Sequence, residues 1–249
     1  MAIEIRQFPV LSDNYAFLVR DQGSGLVATI DTPDADAIAR EVEASGWGRL
    51  DFILNTHWHP DHAGGNAALK ARFGCEIVGP AEVEKIAPLD RVVSGGETLS
   101  FGDTTLKVLP TPGHTLGHIA YWSEADAVAF VGDTLFAMGC GRLFEGTAEQ
   151  MWKSLQSLAA LPDATRVYCA HEYTASNARF ALSVDADAQV KARAEAVFAA
   201  RERGEPTVPT TIALEKATNP FLRAPSLVSS ATPAEAFGQV RAAKDGFKG

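Results

Sequence analysis

The sequence predicts an α/β fold that gives way, near residue 172, to a smaller helical domain. Three observations point there. Short apolar runs bounded by turn residues recur up to that point and alternate with helical patterns. Strand patterns then stop, and helix-like stretches punctuated by proline follow. The residues able to do chemistry gather at the ends of the predicted strands rather than within them. The expected domains are therefore 1–172 and 173–249.

Ile3 to Phe8, Tyr15 to Arg20 and Leu26 to Asp31 read as strands separated by Ser12-Asp13-Asn14 and Gly23-Ser24-Gly25. Thr32-Pro33 reads as a helix cap followed by proline at the first helical position, with Ile38 and Val42 as the apolar stripe and Gly46 as the stop. Leu50 to Asn55 is an apolar strand, and a helix should follow it as far as Phe73. Glu76 to Val78 is a short strand; Thr98 to Phe101 and Thr104 to Leu109 form a hairpin about Gly102-Asp103. Ile119 to Trp122, Ala127 to Val131 and Arg166 to Ala170 complete the strands. Between the last two, Thr147 with Gln150 makes a capping box for a helix carrying Met151, Leu155 and Leu158 on one side. In the helical part, Ser176 to Val184, Ala186 to Arg203 and Thr232 to Lys248 read as helices, the last with Thr232, Pro233 and Glu235 as its start signal.

Composition narrows the function. The chain has 249 residues, 46% hydrophobic and 21% charged, which is ordinary for a globular protein. A formal net charge of -9 argues against nucleic acid as a partner. No apolar run is long enough to span a bilayer, so no membrane partner is expected. The opening Met-Ala-Ile-Glu-Ile-Arg lacks a basic stretch followed by an apolar core, so the expected location is the cytoplasm, and the expected state a monomer. Cys75, Cys140 and Cys169 are too few and too far apart for a disulfide framework or a zinc knuckle, and read as small buried hydrophobes.

The densest chemistry lies in Thr56-His-Trp-His-Pro-Asp-His-Ala-Gly-Gly65, where three of the six histidines fall together with a carboxylate. On extended backbone His57 and His59 point the same way. Pro60 suits the first turn of a helix, which Asp61 and His62 would then open. Imidazole and carboxylate are the common ligands of zinc, iron and manganese, and two pairs aimed at neighbouring points suit two adjacent ions. Such a pair of metals makes a hydrolase the natural candidate. Further donors follow at strand ends: His114 after Pro112-Gly113, Asp133 in Gly132-Asp-Thr134, and His171 before Glu172-Tyr173. His118 opens a strand and reads as a supporting histidine. With neutral histidines, two divalent ions, two aspartates and one hydroxide leave a site charge of about +1, which favours an anionic substrate.

These residues resemble the metallo-β-lactamase superfamily. Several segments narrow the resemblance to glyoxalase II, the hydroxyacylglutathione hydrolases: Ser12-Asp13-Asn14-Tyr15, Gly132-Asp-Thr-Leu-Phe136, Gly139-Cys-Gly-Arg-Leu-Phe-Glu-Gly-Thr147, His171-Glu-Tyr-Thr174, Asn219-Pro-Phe-Leu-Arg223 and Lys244-Asp-Gly-Phe-Lys248. The resemblance implies an αββα sandwich followed by a helical substrate-binding domain. It implies two divalent ions, zinc first with iron and manganese as alternatives. His57, His59 and His114 would hold one, Asp61, His62 and His171 the other, with Asp133 bridging. It also implies glutathione held by Arg142, Tyr173 and Arg223, with Phe144 standing where some members carry tyrosine and Ala224-Pro225-Ser226 where some place another basic residue. The expected reaction is attack of a metal-held hydroxide on the thioester carbonyl of S-D-lactoylglutathione, in the removal of methylglyoxal. A thiol's pKa of about 8.5 lets the sulfur leave without much help from an acid. The seven donors alone also suit other branches, such as a persulfide dioxygenase, a β-lactamase or a lactonase, or a metal-binding protein without turnover.

Overall fold

The computed structural model describes residues 3–249. Packing divides them into two compact units: residues up to Pro110 with Gly117–Gly132, and Thr111–Leu116 with Asp133–Gly249.

The first unit holds a six-stranded sheet: β1 (Ile3–Val10), β2 (Asn14–Asp21), β3 (Val27–Ile30), β4 (Phe52–Leu54), β5 (Glu76–Gly79) and β6 (Arg91–Val92), in that order. The first three strands run antiparallel and the last four parallel. Its helices are α1 (Ala35–Ala44), α2 (Pro60–Ala63) and α3 (Asn66–Phe73). Ile38 and Val42 of α1 and Leu69 of α3 are buried with Leu18, Val27, Ile53 and Ile77 of the sheet, so one face of the sheet is a helix-covered core. Side chains of this kind contribute about 1.5–3 kcal/mol each when fully buried. A second antiparallel set, β7 (Thr98–Phe101), β8 (Thr104–Pro110), β9 (Ile119–Ser123) and β10 (Val128–Gly132), supplies Phe101 against Phe52 and Phe130 against Phe17. The Tyr121 hydroxyl donates to the Asn55 carbonyl at 2.8 Å, fixing the segment where the histidine cluster begins.

In the second unit are the two-residue strands β11 (Leu135–Phe136) and β12 (Gly139–Cys140), α4 (Ala148–Ala159), β13 (Arg166–Cys169), α5 (Thr174–Val184), α6 (Ala188–Glu202), β14 (Thr210–Thr211), α7 (Ile212–Thr218), α8 (Ala224–Leu227) and α9 (Pro233–Asp245). Both predicted capping boxes are present, at Thr147 with Gln150 and at Thr232 with Glu235. An aromatic run of Trp152, Phe237, Phe221 and Phe180 links α4, α9 and α5 through the turn between α7 and α8. Beside it Glu215 is fully buried and ion-paired with Arg193; it also accepts from the Met138 amide at 2.9 Å and the Asn219 carboxamide at 2.8 Å. Asn219 in turn donates to the carbonyls of Phe136 and Gly139. The Asn-Pro segment therefore pins the β11–β12 turn from behind.

The α/β class is as expected, and differences lie at particular residues. Helix α1 is capped by Asp34, whose carboxylate accepts from Ala37 N at 2.9 Å, and not by Thr32. Thr32 is engaged elsewhere: its hydroxyl donates to Asn66 Oδ1 at 2.7 Å and its amide to the His62 carbonyl. The helix expected after the histidine cluster is broken into α2 and α3 at Gly64-Gly65. There the Gly65 amide donates to the Thr32 carbonyl, and a Cβ on Gly65 would sit 2.8 Å from that oxygen. Strands β6, β11, β12 and β14 are too short to show a period, and α7 and α8 fall where proline suggested only loop. All three cysteines are buried, with thiols raised to about 11, 11 and 12 for Cys75, Cys140 and Cys169, chiefly by desolvation. Among the described residues no helix is long and apolar enough to cross a membrane.

Candidate active site

In the first unit, the parallel strand β4 delivers Asn55, Thr56 and His57 into a buried polar junction. His57 Nε2 and His59 Nδ1 face each other at 3.0 Å. Pro60 opens α2, placing Asp61 and His62 in its first turn, where His62 Nε2 lies 3.5 Å from Asp61 Oδ2. Other side chains hold this cluster. Asp31, buried and in a left-handed conformation at φ 57°, accepts from Thr56 N at 2.7 Å and Thr56 Oγ1 at 2.8 Å. The same Asp31 faces His62 Nδ1 at 2.8 Å, and Thr56 Oγ1 lies 3.1 Å from His57 Nδ1. Both Nδ1 atoms thus have local partners, which leaves the Nε2 atoms for a cation. Asp31, His57 and His62 could themselves group about an ion, but the Asp31 oxygens are already engaged by Thr56 and His62. His118 stacks on His57 with ring centroids 4.8 Å apart. Gly132 has φ 48°, and a Cβ there would meet Thr56 Oγ1 at 2.6 Å and His118 Nε2 at 2.7 Å, so only glycine fits beside the cluster.

The second unit gathers the other three donors. The Asp133 carboxylate is nearly buried; its Oδ2 lies 3.3 Å from His114 Nε2 and its Oδ1 3.4 Å from His171 Nε2. One carboxylate thus faces two imidazoles through different oxygens, which suits a bridging ligand. His114 Nδ1 donates to the Arg142 carbonyl at 2.9 Å, and the amides of Phe144 and Glu145 close on the His114 carbonyl at 3.3 Å. The Phe144 ring, 62% exposed, lies edge-on to His114 with centroids 5.1 Å apart. The Tyr173 ring stacks on His171 at 4.7 Å and 3°.

The remaining predicted substrate residues diverge. Arg142 is exposed on the same loop. Arg223 donates to Asp185 Oδ2 at 2.7 Å and Asp187 Oδ2 at 3.1 Å, and the Asp185 bond foremost raises its pKa further. Its charge is therefore already matched. A different cationic group stands out around Lys244. Burial, and then the charges of Arg241, Arg142 and Arg179, lower the Lys244 pKa to about 8. Its ammonium donates to Ser176 O at 3.1 Å and Oγ at 3.0 Å, while Arg241 donates to the Cys140 carbonyl at 3.0 Å. Arg241 and Lys244 are three apart on α9, so they share a face. That spacing was the available signal for them.

The donors suit divalent metal: imidazoles with one nitrogen pinned, and carboxylates facing them. Comparison with known proteins agrees. Residues 12–171 match the metallo-beta-lactamase superfamily model and residues 172–247 match the model of the hydroxyacylglutathione hydrolase C-terminus. A hydroxyacylglutathione hydrolase of Maricaulis maris is 54% identical over 252 residues, covering 98% of each chain. The chain belongs to the hydroxyacylglutathione hydrolase family of the metallo-β-lactamase superfamily. Solved structures similar to this family member include ETHE1 from Myxococcus xanthus, at TM-score 0.72 and 26% identity over 96% of this chain and 90% of that one. Another is TTHA1623 in a di-iron-bound form, at TM-score 0.64 and 25% identity over 88% of this chain and all of that one (100%). The family and the donor set together imply an enzyme that uses divalent metal.

Proposed function

We propose that the chain hydrolyses S-D-lactoylglutathione and related 2-hydroxyacyl glutathione thioesters, serving methylglyoxal removal as a monomer in the cytoplasm. Three unpaired buried cysteines suit a reducing compartment. His57, His59 and His114 would hold one ion, Asp61, His62 and His171 the second, and Asp133 both. The observation that carries this reading is the Asp133 carboxylate, one oxygen toward His114 and the other toward His171. Zinc is the first choice, iron or manganese the alternatives. When bound, such ions lower the pKa of a water to about 7 and polarise the thioester carbonyl.

The chain's own residues would orient the substrate. Residues 173–249 supply most of the glutathione site in this reading. The tripeptide is anionic, and Arg142 with Lys244 offers positive charge in a cluster where arginines act on Lys244 more strongly than Asp245 does, whereas Arg223 is ion-paired with Asp185 and Asp187. Arg142 is placed to link the two tasks, since its carbonyl accepts from His114 while its side chain stands exposed. Tyr173 and Phe144, against His171 and His114, would flank the thioester and keep its carbonyl near the donors. The test is release of free thiol from S-D-lactoylglutathione by the purified metal-loaded protein. Arg142→Ala should raise KM far more than it lowers kcat. An absence of thiol release from the fully loaded protein would refute the assignment.

A further inference from the structure

We propose that Asn14 is a positioning residue for Asp61, its carboxamide holding that carboxylate in the orientation that ligates the second metal ion. The inference rests on the reading above, and starts from the Ser12-Asp13-Asn14-Tyr15 segment, which that reading leaves without a task. Asn14 is only 5% exposed. Its Nδ2 donates to Asp61 Oδ2 at 3.1 Å and approaches the Asp61 main-chain carbonyl at 3.5 Å. A carboxylate only accepts, so the amide nitrogen is the atom that must face it.

Asp61 needs such a partner. Its side chain is 40% exposed, in the first turn of a four-residue helix, where solvent offers many alternative orientations. The partner must also be neutral. A second carboxylate at position 14 would oppose the first, and a cation would spend the charge that Asp61 offers the metal. Asparagine is a neutral donor of suitable reach.

The backbone of the β1–β2 turn supports the same conclusion. Strand pairing runs from Ile3↔Asp21 to Val10↔Asn14, so only Leu11, Ser12 and Asp13 close the hairpin. Leu11 takes φ 52°, a conformation that costs a leucine about 1–3 kcal/mol. It is also 58% exposed, so burial does not offset the strain. What the strained turn secures is the place of Asn14, at the head of β2 and against Asp61.

The experiment titrates the metal-free full-length chain with Co(II), followed by visible absorption, and with Zn(II), followed by calorimetry. Wild type should take two ions. Asn14→Ala should weaken one binding step roughly 10–100-fold, the usual effect of losing an outer partner of a ligand, and leave the other unchanged. Asn14→Leu, close in volume and neutral but unable to donate, should weaken the same step, which separates the hydrogen bond from packing. In an Asp61→Asn background, Asn14→Ala should add nothing, because the partner through which it acts is gone. Unchanged affinity at both steps in both Asn14 variants would overturn the proposal. An equal weakening with and without Asp61 would do so too. A wild-type chain that takes fewer than two ions would instead sink the two-metal reading, and this proposal with it.

Discussion

The two donor sets are held in different ways. In the first unit, four candidate ligands come from six consecutive positions, and other side chains meet them: the remote Asp31 and Asn14 reach His62 and Asp61, and the adjacent Thr56 reaches His57. In the second, three candidate ligands come from three separate segments, and the two imidazoles are steadied within that unit: the Arg142 carbonyl on His114, and the Tyr173 ring on His171 two residues before it. A contiguous cluster is thus easy to see and hard to keep in place. A dispersed set is the reverse. Outer partners should therefore matter most where the ligands are consecutive, and the shared carboxylate most where they are scattered.

The largest effect should come from Asp133→Ala, which removes the carboxylate that faces both imidazoles of the second set. Its kcat/KM should fall at least about a thousand-fold, beyond the 10–100-fold typical of an outer partner, with metal content by elemental analysis falling alongside. Asp31→Ala comes next. It strips partners from His62 and both Thr56 donors, so metal affinity should drop about 10–100-fold, and the stranded Thr56 donors should cost about 1–3 kcal/mol in denaturant unfolding. If the Asp31 variant retains wild-type metal affinity, the contrast between the two sets disappears.

Smaller effects would sharpen the assignment of the glutathione end. Lys244→Ala should raise KM about ten-fold, the equivalent of about 1.4 kcal/mol, while Arg223→Ala should leave KM near wild type and lower stability through the lost Asp185 pair. The reverse pattern would return Arg223 to the substrate site. The mildest test is pH. Lys244 titrates near 8, below the ordinary 10.5, because burial and neighbouring arginines disfavour its charge. Anion binding needs the protonated form, so KM should climb as pH rises through about 8. The contribution of this group to folding runs the other way. The unfolded chain holds the proton more tightly, so stability gains as pH rises from about 8 toward 10.5. A KM flat across that range would remove Lys244 from the clamp.

Much of the fold was legible because local chemistry announces itself. Thr147 and Thr232 carry complete capping boxes, and Gly102-Asp103 turns its hairpin as composition predicts. Two-residue strands such as β11 and β12 were not legible, since their pairing is imposed by Asn219 and Glu215, some eighty residues away. Shorter separations, 31 residues from Asp31 to His62 and 47 from Asn14 to Asp61, hid these two as well: nothing beside them in sequence says which histidine or carboxylate they will hold. Arg223 illustrates the converse. An arginine in a distinctive segment invites a substrate role, yet Asp185 and Asp187 become its neighbours only through folding. Thr32 looked like a cap but serves Asn66 and His62, leaving the cap to Asp34.

The central claim of the proposed reading is that the chain holds two cations and that turnover needs both. Stepwise Zn(II) addition to the metal-free chain, with S-D-lactoylglutathione hydrolysis measured at each step, tests it directly. The account predicts two equivalents bound per chain and activity that rises with the second. Full activity at one equivalent, or hydrolysis that persists in the metal-free chain, would contradict it.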